Sequence, residues 1–136
     1  MVRRLILDTG VVIAIDRGDL DPNSVLQRDD DVVIAAVTLA ELQVGVQIAP
    51  PAQKANRAAA FAEAEALYPA EDYTAATSQD HASLLIHCRK SGLPRGEIDL
   101  MIAATALATN RTLVTLDRKA DFGSLPGISV IELPTV

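Results

Sequence analysis

Cysteine is almost missing from this chain. Cys88 stands alone among 136 residues, which excludes an internal disulfide and a zinc site built on several thiolates. There is no tryptophan, and two tyrosines and two phenylalanines are the only aromatics. The core must therefore be made of Leu, Ile, Val and Ala, with Phe61 and Phe122 expected to join it. Stacking platforms for single-stranded nucleic acid are scarce for the same reason. No apolar run approaches the roughly 18 residues of a membrane span. The apolar stretch after Arg3-Arg4 breaks at Asp8, too short for a signal-peptide core and without a cleavage site. A soluble, cytoplasmic protein is the expectation. Positive charge is also in deficit, with 12 Lys and Arg against 18 Asp and Glu and a net charge of −6. Nucleic-acid binders are usually basic, but net charge governs solubility and steering rather than site chemistry.

What is present reads as one globular domain over 1–136, since 49% of the residues are apolar and the length leaves no room for a second domain. Leu5-Ile6-Leu7 has the apolar continuity of a buried strand, and so does 32–35. Segment 11–15 fits a short helix stopped at Gly18, although its β-branched residues also suit a strand. Asp19 to Ser24 reads as a turn and a helix start. A helix is expected to open at Thr38-Leu39-Ala40-Glu41. A long Ala- and Glu-rich helix covers 52–67 between Pro50-Pro51 and Pro69, and another covers 73–91 before Gly92 and Pro94. Segment 98–109 is apolar on nearly every side and reads as a buried helix. Strands are expected at 113–116, ending at Asp117, and at 128–133 after Pro126-Gly127. Strands alternating with helices predict an α/β fold with a central parallel sheet flanked by helices.

Four acids fall at strand ends or helix starts: Asp8, Glu41, Asp99 and Asp117. Each has an ordinary structural explanation. Asp8 can cap the helix that follows it, and Thr38-x-x-Glu41 has the form of a capping box. Asp99 can complement a helix dipole, and Asp117 can cap a turn before Asp121-Phe122. Their joint placement points elsewhere. In an open α/β sheet, ligands bind outside the carboxyl ends of the strands at the switch in strand order. Carboxylates gathered there repel unless a cation neutralises them. Oxygen ligands without His or Cys suit Mg²⁺ or Mn²⁺. Such an ion supports hydrolysis of a phosphodiester.

The segments carrying these acids resemble those of PIN-domain proteins. Leu5-Ile6-Leu7-Asp8-Thr9-Gly10 resembles their opening, which runs apolar residues, Asp-Thr-Ser, then apolar residues. Glu41-Leu42-Gln43-Val44-Gly45 resembles their Glu-Leu-x-x-Gly segment, and Asp99-Leu100-Met101-Ile102-Ala103-Ala104-Thr105-Ala106 their Asp-x-x-Ile-Ala-Ala-x-Ala segment. Thr115-Leu116-Asp117-Arg118-Lys119-Ala120-Asp121-Phe122 resembles their closing Thr-x-Asn/Asp-x-x-x-Asp-Phe segment. The match runs in order over essentially the whole chain and is nearest to the VapC-type toxins of bacterial toxin–antitoxin pairs. The resemblance implies a PIN-like three-layer fold and a Mg²⁺- or Mn²⁺-dependent endoribonuclease that inhibits translation. It also implies a homodimer and an antitoxin partner. Asp8, Glu41, Asp99 and Asp117 become the acidic quartet, with the metal on Asp8, Asp99 and Asp117. Asp121 matches a secondary acid that supports the site or holds Arg118 and Lys119. One departure is Gly10, where Ser or Asn is usual; Thr9 and Thr115 are the candidates to replace its polar group.

By proximity to these segments, Arg17, Arg95, Arg118 and Lys119 are the candidate RNA contacts, each with a solvated surface charge as the alternative. His81 and His87 are spaced six apart, which misses the i,i+4 arrangement of a shared metal. Cys88 reads as a small buried side chain. Phe61 and Leu67, on the Ala-rich helix, suit either core packing or contact with an antitoxin or a second subunit. Asp8-Thr9-Gly10 also matches the triplet of aspartic proteases, but those are all-β. A phosphohydrolase opening with Asp-x-Asp is excluded by Gly10. A catalytically weak PIN-fold module that binds RNA or protein is the remaining rival, and the presence of all four acids argues against it.

Overall fold

Alternate residues of the central strands point to opposite faces, and both faces are buried. The computed structural model describes residues 2–134. Its elements run β1 (Arg4–Leu7), α1 (Thr9–Asp16), α2 (Pro22–Val25), β2 (Asp31–Ala35), α3 (Ala36–Gln47), α4 (Pro51–Leu67), β3 (Ala70–Glu71), α5 (Ala75–Ser91), α6 (Glu97–Ala108), β4 (Thr112–Thr115) and β5 (Val130–Glu132). A 3₁₀ turn over Phe122–Ser124 precedes β5. The sheet order is β3-β2-β1-β4-β5 and every pairing is parallel.

The period of two along β1 assigns the layers. Ile6 faces a core shared with Leu84 and Cys88 of α5, Leu100 and Ile102 of α6, and Phe122. Leu5 and Leu7 face the opposite core, with Val11 and Val12 of α1, Leu39 and Leu42 of α3, and Ala64 of α4. The result is a three-layer α/β/α domain, as expected from the alternation of elements. The parallel sheet and the helices exclude the all-β protease reading.

The chain leaves β1 towards β2 and β3, then returns through α5 and α6 to place β4 on the other side of β1. The switch in strand order therefore lies between β1 and β4. Asp8 and Asp117 follow these two adjacent strands, and Asp8 extends the ladder by donating its backbone N–H to the Val114 carbonyl at 2.9 Å.

Several local expectations change. β3 is only two residues long, too short for periodicity to show. The helix expected at Thr38 begins at Ala36, because β2 runs into α3 with no loop and Ala35 serves as both last strand residue and N-cap. Thr38 and Glu41 therefore form no capping box, and Glu41 sits in the second turn. The capping box of the chain is instead Thr74 with Thr77, so α5 starts at Ala75 rather than at Tyr73. Phe122 is core as expected, whereas Phe61 is only half-buried and lines a surface groove.

Arg111 staples the sheet. Its side chain is buried just before β4, and Nη1 donates to the Leu5 carbonyl (3.4 Å), the Asp31 carbonyl (3.0 Å) and Asp31 Oδ1 (3.1 Å). Nη2 donates to Glu71 Oε1 at 3.5 Å, so one side chain touches β1, β2 and β3 from the start of β4. Arg111→Ala is expected to lower stability by about 1–3 kcal/mol, the usual cost of a buried acceptor left unsatisfied. The check is a lower urea midpoint with unchanged slope; an unchanged midpoint would show that the staple contributes nothing.

Candidate active site

Asp8 ends β1 and caps α1: its Oδ1 accepts from Thr9 N at 2.9 Å. Its other oxygen accepts from Thr115 Oγ1 at 2.8 Å. The Thr115 hydroxyl in turn accepts from Asp117 N at 2.9 Å. One threonine at the end of β4 thus orients the Asp8 carboxylate and pins the backbone of Asp117. The Asp117 carboxylate folds back on its own loop, with Oδ1 accepting from Lys119 N (3.0 Å) and Ala120 N (3.1 Å).

Glu41 comes from α3 on the β2 side of the switch. Thr9, the first residue of α1, donates its hydroxyl to Glu41 Oε1 and lies 3.0 Å from the Thr38 hydroxyl. Thr38 is fully buried. Its capping-box appearance in the sequence concealed this role, which only the meeting of α1 with α3 creates.

Asp99 is the third residue of α6, whose N-cap is Gly96. A Cβ on Gly96 would stand 3.2 Å from Asp99 Oδ2, so the glycine leaves that carboxylate its space. Position 10 is different: a Cβ on Gly10 would meet nothing within 4 Å. The usual Ser or Asn would fit there; the hydroxyls bonded to the site carboxylates are those of Thr9, on Glu41, and Thr115, on Asp8.

The charges of these carboxylates reach one another: Asp99 feels Asp8, Asp117 and Glu41, and Asp8 feels Glu41 and Asp117. Burial pushes the Asp99 carboxyl above its ordinary range, and Asp8, Asp117 and Glu41 push it further, with Arg95 opposing. Burial likewise raises Asp8; the Thr115 and Thr9 hydrogen bonds hold it down, while Glu41 and Asp117 add to the rise. This is the behaviour of like charges sharing a low-dielectric site. The donors are all carboxylate oxygens, which fit a hard divalent cation. Among the described residues no three acidic, His or Cys side chains are drawn into a ready-made cage. An open carboxylate set of this kind suits Mg²⁺, which keeps several of its waters and takes few protein ligands.

The candidate cations divide. Lys119 lines a cleft of about 420 Å³ with Asp99, Asp117 and Arg95. Arg17 lines a second groove of about 290 Å³ that runs between α1, α3 and α4 and includes Glu41 and Phe61. Arg118 is exposed, 3.8 Å from Glu132, and donates to the Leu133 carbonyl. Asp121 holds neither Arg118 nor Lys119 by a described side-chain bond. It stands in the left-handed backbone region (φ 48°) at the start of the 3₁₀ turn. Arg95 bonds to that turn rather than projecting freely.

The sequence reading missed one more lining residue, Arg57. The room left by Gly45 is occupied by it, with Arg57 Nη1 3.6 Å from where a Cβ would stand. Gln53, Asn56, Arg57, Ala60 and Phe61 recur at helical spacing along the groove face of α4, and that periodicity was the available signal.

This fold and this edge of acids define a PIN domain. The PIN-domain family model matches residues 5–125, and the chain belongs to that family. It is similar to Ribonuclease VapC of Rickettsia bellii, 28% identical over 131 residues that cover 96% of each chain. It is also similar to Ribonuclease VapC5 of Mycobacterium tuberculosis, 36% identical over 133 residues, 94% of this chain and 92% of the relative. Among solved structures, VapBC-5 of M. tuberculosis, described as a member of the VapBC family of toxin–antitoxin systems, aligns with a TM-score of 0.78 and 32% identity. That alignment covers 96% of this chain and 98% of that one. VapBC2 of Rickettsia felis bound to a promoter DNA fragment shares the fold, with a TM-score of 0.86, 24% identity, and 96% and 99% coverage.

The raised carboxyls have a consequence for stability. In the window between ordinary and raised values, the folded state binds more protons than the unfolded state. The stability contributed by Asp8 and Asp99 is therefore full below the ordinary carboxylate pKa and lost as pH rises through the raised folded values. In metal-free protein, Asp99→Asn is expected to raise the Tm at pH 7, because a neutral amide there relieves both the burial of charge and the repulsion from Asp8, Asp117 and Glu41. The variant should also flatten the loss of Tm with rising pH. A Tm below that of the parent protein would contradict the mutual repulsion of the quartet.

Proposed function

We propose that this protein is a divalent-metal-dependent endoribonuclease and the toxin of a toxin–antitoxin pair that inhibits translation. The observation that carries this reading is the convergence of Asp8, Glu41, Asp99 and Asp117 at the β1/β4 switch, where burial, and then the neighbouring acidic charges, raise the carboxyls of Asp8 and Asp99. The names of the relatives support the ribonuclease reading, and the VapBC assemblies support an antitoxin partner.

Asp8, Asp99 and Asp117 would hold Mg²⁺ or Mn²⁺, with Glu41 completing the set or orienting the attacking water. The ion, when bound, generates a nucleophile from water and stabilises charge on the scissile phosphate. The chain's own residues set the geometry. Thr115 turns the Asp8 carboxylate towards the edge, and Thr9 holds Glu41. In-line attack by water leaves a 3′-hydroxyl and a 5′-phosphate. Lys119, beside Asp99 and Asp117, is placed to meet the RNA backbone, with Arg17 and Arg118 further along the surface. With few aromatics available, recognition rests on shape and phosphates rather than stacking.

The groove between α1, α3 and α4 is the seat we assign to the antitoxin. Val12, Ile13, Leu42 and Phe61 give it apolar walls, and Asp16, Arg17, Glu41 and Arg57 give it charge of both signs. Such a groove suits an amphipathic segment, and an occupant would end beside Glu41. Homodimerisation belongs to the same reading, with the exposed Val44 of α3 and Ile48, which caps its C-terminus, as available apolar surface. A cytoplasmic location accords with RNA as substrate; among the described residues no helix is long and apolar enough to cross a membrane.

Incubation of the purified protein, free of antitoxin, with total RNA in Mg²⁺ or Mn²⁺ tests the reading. Discrete fragments are expected, abolished by EDTA and reduced at least about 100-fold by Asp99→Asn, equivalent to roughly 3 kcal/mol of transition-state stabilisation. Cleavage that survives Asp99→Asn would remove the quartet from the mechanism.

A further inference from the structure

Arg95 lies in the loop between α5 and α6, four residues ahead of Asp99. Its guanidinium is spent on a segment far along the chain. Nη1 donates to the carbonyl of Ala120 and, at 3.0 Å, to that of Asp121; Nη2 donates to Ser124 Oγ at 2.6 Å. Asp121 adopts left-handed backbone at this point, where its carbonyl and that of Ala120 both reach the same nitrogen.

The other end of this segment is held by Asp117, whose Oδ1 accepts from Lys119 N and Ala120 N. Ala120 is therefore gripped twice, at its N–H by the Asp117 carboxylate and at its carbonyl by Arg95. The chain of contacts runs from Asp117 through one residue to Arg95, and from Arg95 along four residues to Asp99. Arg95 Nε is buried without a partner, which costs free energy.

We propose that Arg95 is a positioning residue rather than an RNA contact: it clamps the Asp117 loop to the start of α6, so that Asp117 and Asp99 keep the spacing needed to share one divalent cation. The proposal rests on the nuclease reading above. A planar fork is required, because one group must serve two carbonyls and a hydroxyl at once, and a lysine ammonium has no such geometry.

The test compares the parent protein with Arg95→Met and Arg95→Lys. Mn²⁺ is titrated into metal-free protein and followed by electron paramagnetic resonance, and kcat and KM for RNA are measured in saturating Mn²⁺. Both variants are expected to bind Mn²⁺ about tenfold or more weakly, the usual effect of losing an outer-shell support, with KM for RNA unchanged. A raised KM with Mn²⁺ affinity intact would make Arg95 a phosphate contact and overturn the proposal. If Arg95→Met does not fold by far-UV circular dichroism, Ser124→Ala removes one bond of the fork; it should weaken Mn²⁺ in the same direction, and unaltered affinity would count against the clamp. Amide exchange at Lys119 and Ala120 in metal-free protein gives an independent readout. If the parent protein binds no Mn²⁺, the nuclease reading falls, yet faster exchange in Arg95→Met still supports the clamp and unchanged exchange refutes it.

Discussion

Four carboxylates at one edge of a sheet repel, and the fold holds them together against that repulsion. Asp8 and Asp99 carry the strain most visibly, since burial and their acidic neighbours both favour the protonated form. The parallel sheet makes the gathering possible. Two adjacent parallel strands, β1 and β4, end side by side and deliver Asp8 and Asp117 to the same edge. α6 and α3, packed on opposite faces of that sheet, bring Asp99 and Glu41 in from either side.

Threonine hydroxyls do the local positioning. Thr9, Thr38 and Thr115 are all buried, and each must find partners for its hydroxyl inside the protein. Those partners are the acids and one another: Thr115 with Asp8 and the Asp117 amide, Thr9 with Glu41 and Thr38. Satisfying buried hydroxyls and orienting carboxylates are therefore one structural solution. A chain with few aromatics and a core of aliphatic residues has this polar network as its main directional element at the site.

Several cations are bound up in structure: Arg111 staples the sheet, Arg3 pairs with Asp30, and Arg95 holds the loop after β4. Lys119 remains beside the acids, and Arg17 and Arg57 line the groove between α1, α3 and α4. The acid edge and the groove meet at Glu41, so whatever fills the groove lies next to the carboxylates.

Much of this was legible from the chain alone. The apolar continuity of Leu5-Ile6-Leu7 and of 113–116 marked buried strands, and Asp8 and Asp117 stood out because strand ends are recognisable from local pattern. The Ala-rich helices and the α/β alternation followed from propensity and period. The sequence by itself thus determined the layers, the parallel sheet and the positions of the acids, since these depend on residues close together in the chain. Only the tertiary structure decided that Thr38 meets Thr9 instead of capping its own helix, that Phe61 walls a groove instead of filling the core, and that Arg95 grips a loop 25 residues away. Each of those outcomes depends on which elements the sheet order brings together, and a partner distant in sequence leaves no local periodicity to read.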